Sequence, residues 1–355
     1  MKLVVLGLSL SSSWGNGHAT TYRALLGAFA ARGHDVTFIE RDQPWYAEHR
    51  DLADPNWCRL AFYADTAGLA VFAPEIAAAD AVMIGSYVAD GPAIIANVQC
   101  WATGVTAFYD IDTPITFAKL ASGDREYLAP ENIPDFDLYL SFTGGPTLGA
   151  LERRWNAHRA VALYCSVDPA AYPPLDTRER WALSYLGTWS ADRQPALDRL
   201  LLEPARARPD LAFAVAGPLY PDTIDWPANV QRIAHISPAG HPAFYAASRL
   251  TLNITRSDMR AAGWSPSVRL FEAAACARPI VSDRWPGLDQ LFEVPEELLI
   301  ADTTADVLAA LERSDLGHMG RAARARALGQ HTSAIRAELL EAELLAARTL
   351  ARAYA

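Results

Sequence analysis

Ser265, Arg269 and Glu272 are spaced i, i+4 and i+7, so on a helix a hydroxyl, a permanent cation and a carboxylate share one face. Ser265 is a favourable N-cap and Pro266 suits the first helical position. From Ser267 onward the helix start leaves backbone N–H groups unpaired, and such an end attracts an anion, a phosphate above all. The stripe can therefore grip a nucleotide diphosphate together with its ribose. The plainer alternative is a capped surface helix with an i,i+3 Arg–Glu pair worth only ~0.3 kcal/mol.

Such a residue set needs a rigid frame. Lys2–Leu8 is a nearly continuous apolar run and residues 35–40 form another, with a helical pattern at Thr20–Arg32 and Gly33 between them. This is the β-loop-α-β unit of a parallel sheet. Buried-strand candidates at Ala81–Ile84, Val105–Tyr109, Leu138–Phe142 and Ala160–Tyr164 extend it into a doubly wound domain. Ser166–Pro174 is turn-rich and fits an interdomain linker. The alternation then restarts, with strands expected at Leu183–Leu186, Ala212–Ala216, Val230–Ile233, Leu250–Ile254 and Pro279–Ser282 and a helix near Pro195–Leu202. A long Ala/Leu/Glu/Arg helix, with Thr332 as its N-cap, is expected over Thr332–Tyr354. The expected division is thus 1–165, 166–330 and a terminal helix in 331–355.

At 355 residues the chain exceeds one typical core, and two domains of ~150–180 residues are the natural division. A 51% hydrophobic and 20% charged composition is that of a globular, not a disordered, chain. No apolar stretch reaches the ~18–20 residues that span a bilayer. Met1-Lys2 runs straight into a strand without a signal-peptide core, so the expected location is cytoplasmic. The formal charge of −10 argues against a nucleic-acid partner, while Arg193, Arg256, Arg260 and Arg269 can still gather around a small anion. Cys58, Cys100, Cys165 and Cys276 form no CxxC and read as free, buried thiols.

The string SPSVRLFEAAACARPIVSD, from Ser265 to Asp283, resembles the donor-nucleotide element of GT-B glycosyltransferases. There a Glu near the start of a late helix, followed by small residues and a Pro-led apolar strand, holds the donor ribose. More narrowly, the string resembles the CgeB-type spore-maturation branch, as do SSSWGNGHATTYRALLGAFAARGHDVTFIERDQPWY, SYLGTW and AGPLYP. The resemblance runs through nearly the whole chain in order. It implies two facing Rossmann-like parallel-sheet domains, with the terminal helix crossing back to the first domain and ligands at the carboxyl ends of the strands.

For the donor side the resemblance implies ribose on Glu272 and diphosphate on the Ser265–Arg269 segment, with Ser267. In related retaining enzymes the loop at Gly187 carries Gly-Arg and then a Lys six residues after the Gly. Here Gly187 matches, Thr188 replaces the Arg ahead of Trp189, and Arg193 keeps the charge of the Lys, with Arg256 able to supply the other cation. Those enzymes also place a Glu eight positions before the ribose Glu. This chain has Trp264, which can stack on a sugar but lacks a carboxylate's hydrogen bonds, so sugar identity and stereochemical outcome stay open.

The loop Trp14-Gly15-Asn16-Gly17 is not GxGxxG, which weakens a nicotinamide or flavin reading. By the resemblance it lines the acceptor side, and His18 is either a general base or a residue that orients the loop. Asp110-Ile111-Asp112 is a formal DxD, the pattern that binds a divalent metal in GT-A enzymes. It lies in the first domain, and GT-B enzymes generally work without the metal, so no metal and no cofactor is expected. Asp110 is instead expected to face the cleft and pair with His18, and Asp112 to cap the next turn.

The function implied is metal-independent transfer of a sugar from a nucleotide-sugar donor, UDP-hexose foremost, to an unidentified acceptor. Two others stay open: a non-hydrolysing nucleotide-sugar epimerase, and a degenerate transferase serving as a spore or envelope glycan-binding protein. A homodimer is compatible with the sequence.

Overall fold

The computed structural model describes residues 1–15 and 17–354, with side chains through residue 349, so Asn16 lies outside the described residues. The chain divides into two compact units, Met1–Cys165 joined by the segment from Ser333 onward, and Ser166–Thr332.

Unit one is built on seven strands: β1 (Lys2–Gly7), β2 (Asp35–Arg41), β3 (Arg59–Tyr63), β4 (Ala81–Gly85), β5 (Val105–Asp110), β6 (Leu138–Ser141) and β7 (Ala160–Ala162). They run parallel in the order β3-β2-β1-β4-β5-β6-β7. β4 and β5 are buried at every residue, which is why they read as unbroken apolar runs. Strand order reverses between β1 and β4, so the loops after these two strands open at the position where parallel sheets take ligands. Helix Gly17–Ala31 turns Ala19, Tyr22, Leu25, Leu26 and Phe29 inward at helical spacing. The last helix, Ser333–Tyr354, packs on it and buries Ala337, Leu340, Leu344 and Ala347. Arg32 and His34 meet Glu341 across that seam.

Unit two carries six parallel strands: β8 (Trp181–Leu186), β9 (Phe213–Ala216), β10 (Val230–Ile233), β11 (Ser248–Asn253), β12 (Ile280–Ser282) and β13 (Leu299–Ile300). Their order is β10-β9-β8-β11-β12-β13. Leu183, Phe213, Leu250, Leu252 and Val281 form its core with Leu200 and Leu201. Each unit is a doubly wound parallel α/β domain.

Several local expectations change. β3 and β13 add to the strands expected. The helix near Pro195 starts at Gln194, passes through a π turn at Asp198–Leu202 and resumes over Glu203–Ala207. Pro204 explains the broken ladder, because it has no N–H to donate back up the helix. Among the described residues no disulfide joins the four cysteines, but Cys100 is exposed and Cys58 only half-buried, whereas Cys165 and Cys276 are buried. Among the described residues no helix is long and apolar enough to cross a membrane.

Candidate functional site

The donor-side residues of unit two gather at the carboxyl ends of β8, β11 and β12. The helix that carries Arg269 and Glu272 spans Val268–Ala275 and starts two residues later than expected. Its N-cap position is Ser267, not Ser265, and Ser265 and Pro266 are buried in the approach to it. Ser267 is extended, with ψ 151°, and its hydroxyl donates to Asn253 Oδ1 at 2.8 Å instead of capping the helix. That bond holds the backbone out of the helical well for one residue more.

Arg269 is 9% exposed and lies beneath this approach. Its Nε donates to the Leu186 carbonyl at the end of β8, and its Nη1 donates to Asn253 Oδ1 at 2.8 Å at the end of β11. The guanidinium also sits over the Tyr185 ring, 4.8 Å from the centroid. A planar fork can meet these partners together, as a point-charge ammonium cannot. Gly187 leaves room for these side chains, because a Cβ there would lie 2.8 Å from Arg269 Nη2 and 2.7 Å from the Tyr185 hydroxyl and would displace their ends. Gly217 approaches from β9, and a Cβ on it would lie 2.0 Å from the Gly187 carbonyl oxygen.

The loop after β8 folds on itself. Arg193 donates to the Thr188 carbonyl at 2.6 Å and to Ser190 Oγ at 2.8 Å, while Trp189 Nε1 bonds Gln194 Oε1 at 3.0 Å. Asp192 receives the Ser257 N–H at 2.9 Å and sits 4.0 Å from Arg256, which brings the Arg193 and Arg256 loops together. Trp264 has a left-handed φ of 45°, and its indole N–H bonds Gln290 Oε1 at 2.8 Å. Under the sheet ends, Asn253 also bonds Ser282 Oγ at 2.9 Å, and Thr255 gives its N–H (3.0 Å) and hydroxyl (2.9 Å) to Asp283. Burial pushes the Asp283 carboxyl up to about 6, against these hydrogen bonds, which pull it down.

Glu272 forms no ion pair with Arg269. At 3% exposed, it accepts from the Tyr172 hydroxyl at 2.7 Å and the Tyr245 hydroxyl at 3.0 Å, with His241 Nδ1 at 3.5 Å. Burial would raise its pKa, but the hydrogen bond and charge of His241 and the two phenols outweigh it and hold it below the usual range. Burial first, and then the Glu272 carboxylate beside them, push both phenols well above their usual range.

In unit one, Gly17 opens the first helix and His18 stands in its first turn. The carboxylate near His18 is Asp112, with Nε2 3.9 Å from Oδ2, and Asp110 does not occupy that place. Asp110 is fully buried at the end of β5, taking the Tyr139 hydroxyl at 2.6 Å and the Thr116 hydroxyl at 2.8 Å. β5 is buried on both faces, so its last residue is enclosed whichever way it points. Burial pushes its carboxyl up to about 6, less than it would without those two donors. Asp112 occupies the N-cap position of helix Thr113–Ser122 but makes no side-chain cap. It instead accepts the Tyr87 hydroxyl at 2.9 Å. Tyr87 sits edge-on to His18 with centroids 5.2 Å apart, on a backbone at φ 66° that a non-glycine residue adopts at a cost. Trp14 and Gly15 are exposed in the loop before the helix.

Sequence reasoning missed Asn253, Tyr172, His241, Tyr245, Tyr87 and the role of Asp112. Asn253 had a signal: like Asp110, it is a polar residue at the carboxyl end of a buried strand. The others lie far along the chain from the residues they hold. Among the described residues no group of three or more His, Cys, Asp or Glu side chains converges as a metal site.

Residues 193–342 match the family described as glycosyl transferase-like. No curated protein matches the sequence. Among solved structures the chain is similar to a sucrose-phosphate synthase from Thermosynechococcus elongatus, at 15% identity and TM-score 0.70, covering 98% of this chain and 100% of that one. It is similar to Anabaena HepE in complex with UDP-glucose, at 12% identity and TM-score 0.69, over 98% and 100% of the two chains. It is also similar to an alpha-glucosyltransferase in complex with UDP and a 13-mer DNA, at 12% identity and TM-score 0.68, over 97% and 99%. The second half of the chain thus matches a glycosyl transferase-like family, and the whole chain shares the fold of these structures.

Proposed function

We propose that this protein transfers a sugar, a hexose, from UDP to an acceptor without a metal ion, as a CgeB-type member of its class. The observation that carries the reading is the Arg269 cluster. One buried guanidinium, fixed by Leu186 and Asn253 against Gly187, lies one helical turn from the buried carboxylate of Glu272. That is a charge for a diphosphate and an acceptor for ribose hydroxyls, on rigid elements. Two of the structural relatives cited above hold UDP or UDP-glucose.

In this reading the leaving UDP is stabilised by Arg269, Arg193, Arg256 and the N–H groups of the Ser265–Val268 approach, positioned before the bond breaks. Trp264 lies along the sugar. The acceptor binds at the loop after β1. If the reaction inverts, His18 takes the acceptor proton, and Asp112, held by Tyr87, stabilises the imidazolium that forms.

Calorimetric titration with UDP, GDP and TDP, followed by an assay of UDP release from UDP-hexoses, tests the reading. Saturable UDP binding is expected to exceed that of the other two. No binding by any of the three sinks the proposal, and conversion of the free nucleotide sugar to an isomer without acceptor would turn it toward an epimerase.

A further inference from the structure

Two tryptophans stand in water at the carboxyl ends of unit-one strands. Trp14, in the loop after β1, is 40% exposed, and Trp45, just after β2, is 52% exposed. Trp14 is held in place. It lies flat on the His49 ring, with centroids 4.8 Å apart and planes 23° from parallel. Its backbone N–H donates to Ser12 Oγ at 3.3 Å, and the Ser12 hydroxyl donates on to the His49 carbonyl at 2.9 Å.

Trp45 is close in sequence to this stack: it precedes His49 by four residues, on the helical turn Pro44–Ala47 that follows β2. Beneath them the buried Glu40 receives the Leu10 and Ser11 N–H groups at 2.7 and 2.9 Å and the Ser9 and Ser11 hydroxyls at 3.1 and 2.7 Å. The floor of the patch is thereby pinned to β2. Around it Asp42, Glu48 and Asp51 are exposed, with Arg50 on Asp42 at 2.6 Å and Arg23 on Asp51.

Fixed aromatic faces ringed by carboxylates and guanidinium groups fit one kind of ligand. A pyranose offers an apolar C–H face to lie on an indole and a belt of hydroxyls that both donate and accept. Charge weighs among other occupants: the two Asp–Arg pairs cancel and Glu48 adds a negative charge, so on a chain of formal charge −10 the patch offers no excess of cations to anionic lipid headgroups or nucleic-acid phosphates. We infer that the acceptor is a neutral saccharide, an oligosaccharide or glycan end, which lies on Trp14 and Trp45. The inference rests on the transferase reading, in which the loop carrying Trp14 and His18 receives the acceptor.

The test uses the full chain on an array of neutral, sialylated and sulfated oligosaccharides, beside phosphatidylglycerol vesicles. The expected result is retention on at least one neutral class, with Trp14→Ala and Trp45→Ala each lowering it at least roughly tenfold and the phenylalanine variants recovering part of it. Where an alanine variant fails to fold, the phenylalanine variant must still bind more weakly than wild type. Retention on vesicles or on acidic glycans alone, no retention at all, or equal binding by wild type and variants overturns the inference. UDP titration of the same wild-type sample separates the two readings: UDP binding without glycan binding removes the saccharide acceptor and leaves the donor site standing.

Discussion

Tyr172 donates its hydroxyl to Glu272 at 2.7 Å, across a hundred residues of sequence. The bond ties the turn-rich segment that opens unit two to the helix that presents Arg269. Glu272 is thus both a candidate ribose acceptor and the anchor for a segment with little regular structure of its own.

Those two roles can be separated. Glu272→Ala leaves the Tyr172 and Tyr245 hydroxyls without this acceptor, at about 1–3 kcal/mol for each buried group, so denaturant unfolding is expected to show a clear loss of stability. Glu272→Gln keeps the volume and one acceptor oxygen. It is expected to fold and to bind UDP roughly 10–150-fold more weakly, and unchanged affinity by calorimetry rejects the ribose assignment.

Arg269→Lys preserves the charge and removes the fork. An ammonium cannot serve both the Leu186 carbonyl and Asn253 Oδ1 while stacking on Tyr185, so UDP affinity is expected to fall by about tenfold or more. Wild-type affinity in the lysine variant would mean that charge alone is needed there.

The acid–base assignment predicts a contrast between two aspartates. In an inverting reaction His18→Ala and Asp112→Asn each lower kcat, the first by about a hundredfold, whereas Asp110→Asn acts mainly on stability. NMR of the product's anomeric configuration decides the premise, since a retained configuration takes the base role away from His18.

Asp110 makes a separate pH prediction. Its folded pKa of about 6 lies above the ordinary value of 3.8, so the folded state binds the extra proton between those values. Stability from this group is full at low pH and is lost as pH rises through about 6. The melting temperature of wild type minus that of Asp110→Asn should therefore increase as pH falls from 7 to 4, and a flat difference contradicts the assignment.

Turnover is expected to persist in EDTA, because arginines and backbone N–H groups carry the diphosphate charge. Activity lost to EDTA and restored by manganese or magnesium reverses this expectation.

The strands buried on both faces were legible because a parallel sheet leaves its central strands no polar positions, as in β1, β4 and β5. β3 was not, since Arg59–Tyr63 lies at the sheet edge with a half-exposed pattern, and β13 is only two residues long. The donor helix was legible in composition, but its start was misplaced: no local rule says that Ser267 will spend its hydroxyl on Asn253. Asp110 and Asp112 differ only in which way each side chain turns, and Tyr139 and Tyr87, which decide it, lie 29 and 25 residues away.

Helix Ser333–Tyr354 packs on helix Gly17–Ala31, so an early segment of this chain is covered by a late one. During synthesis the first unit must wait, with part of its core side unsealed, while the whole second unit emerges and folds. A fragment ending near residue 165 is the same intermediate made permanent, and it should aggregate where the second unit, expressed alone, stays in solution.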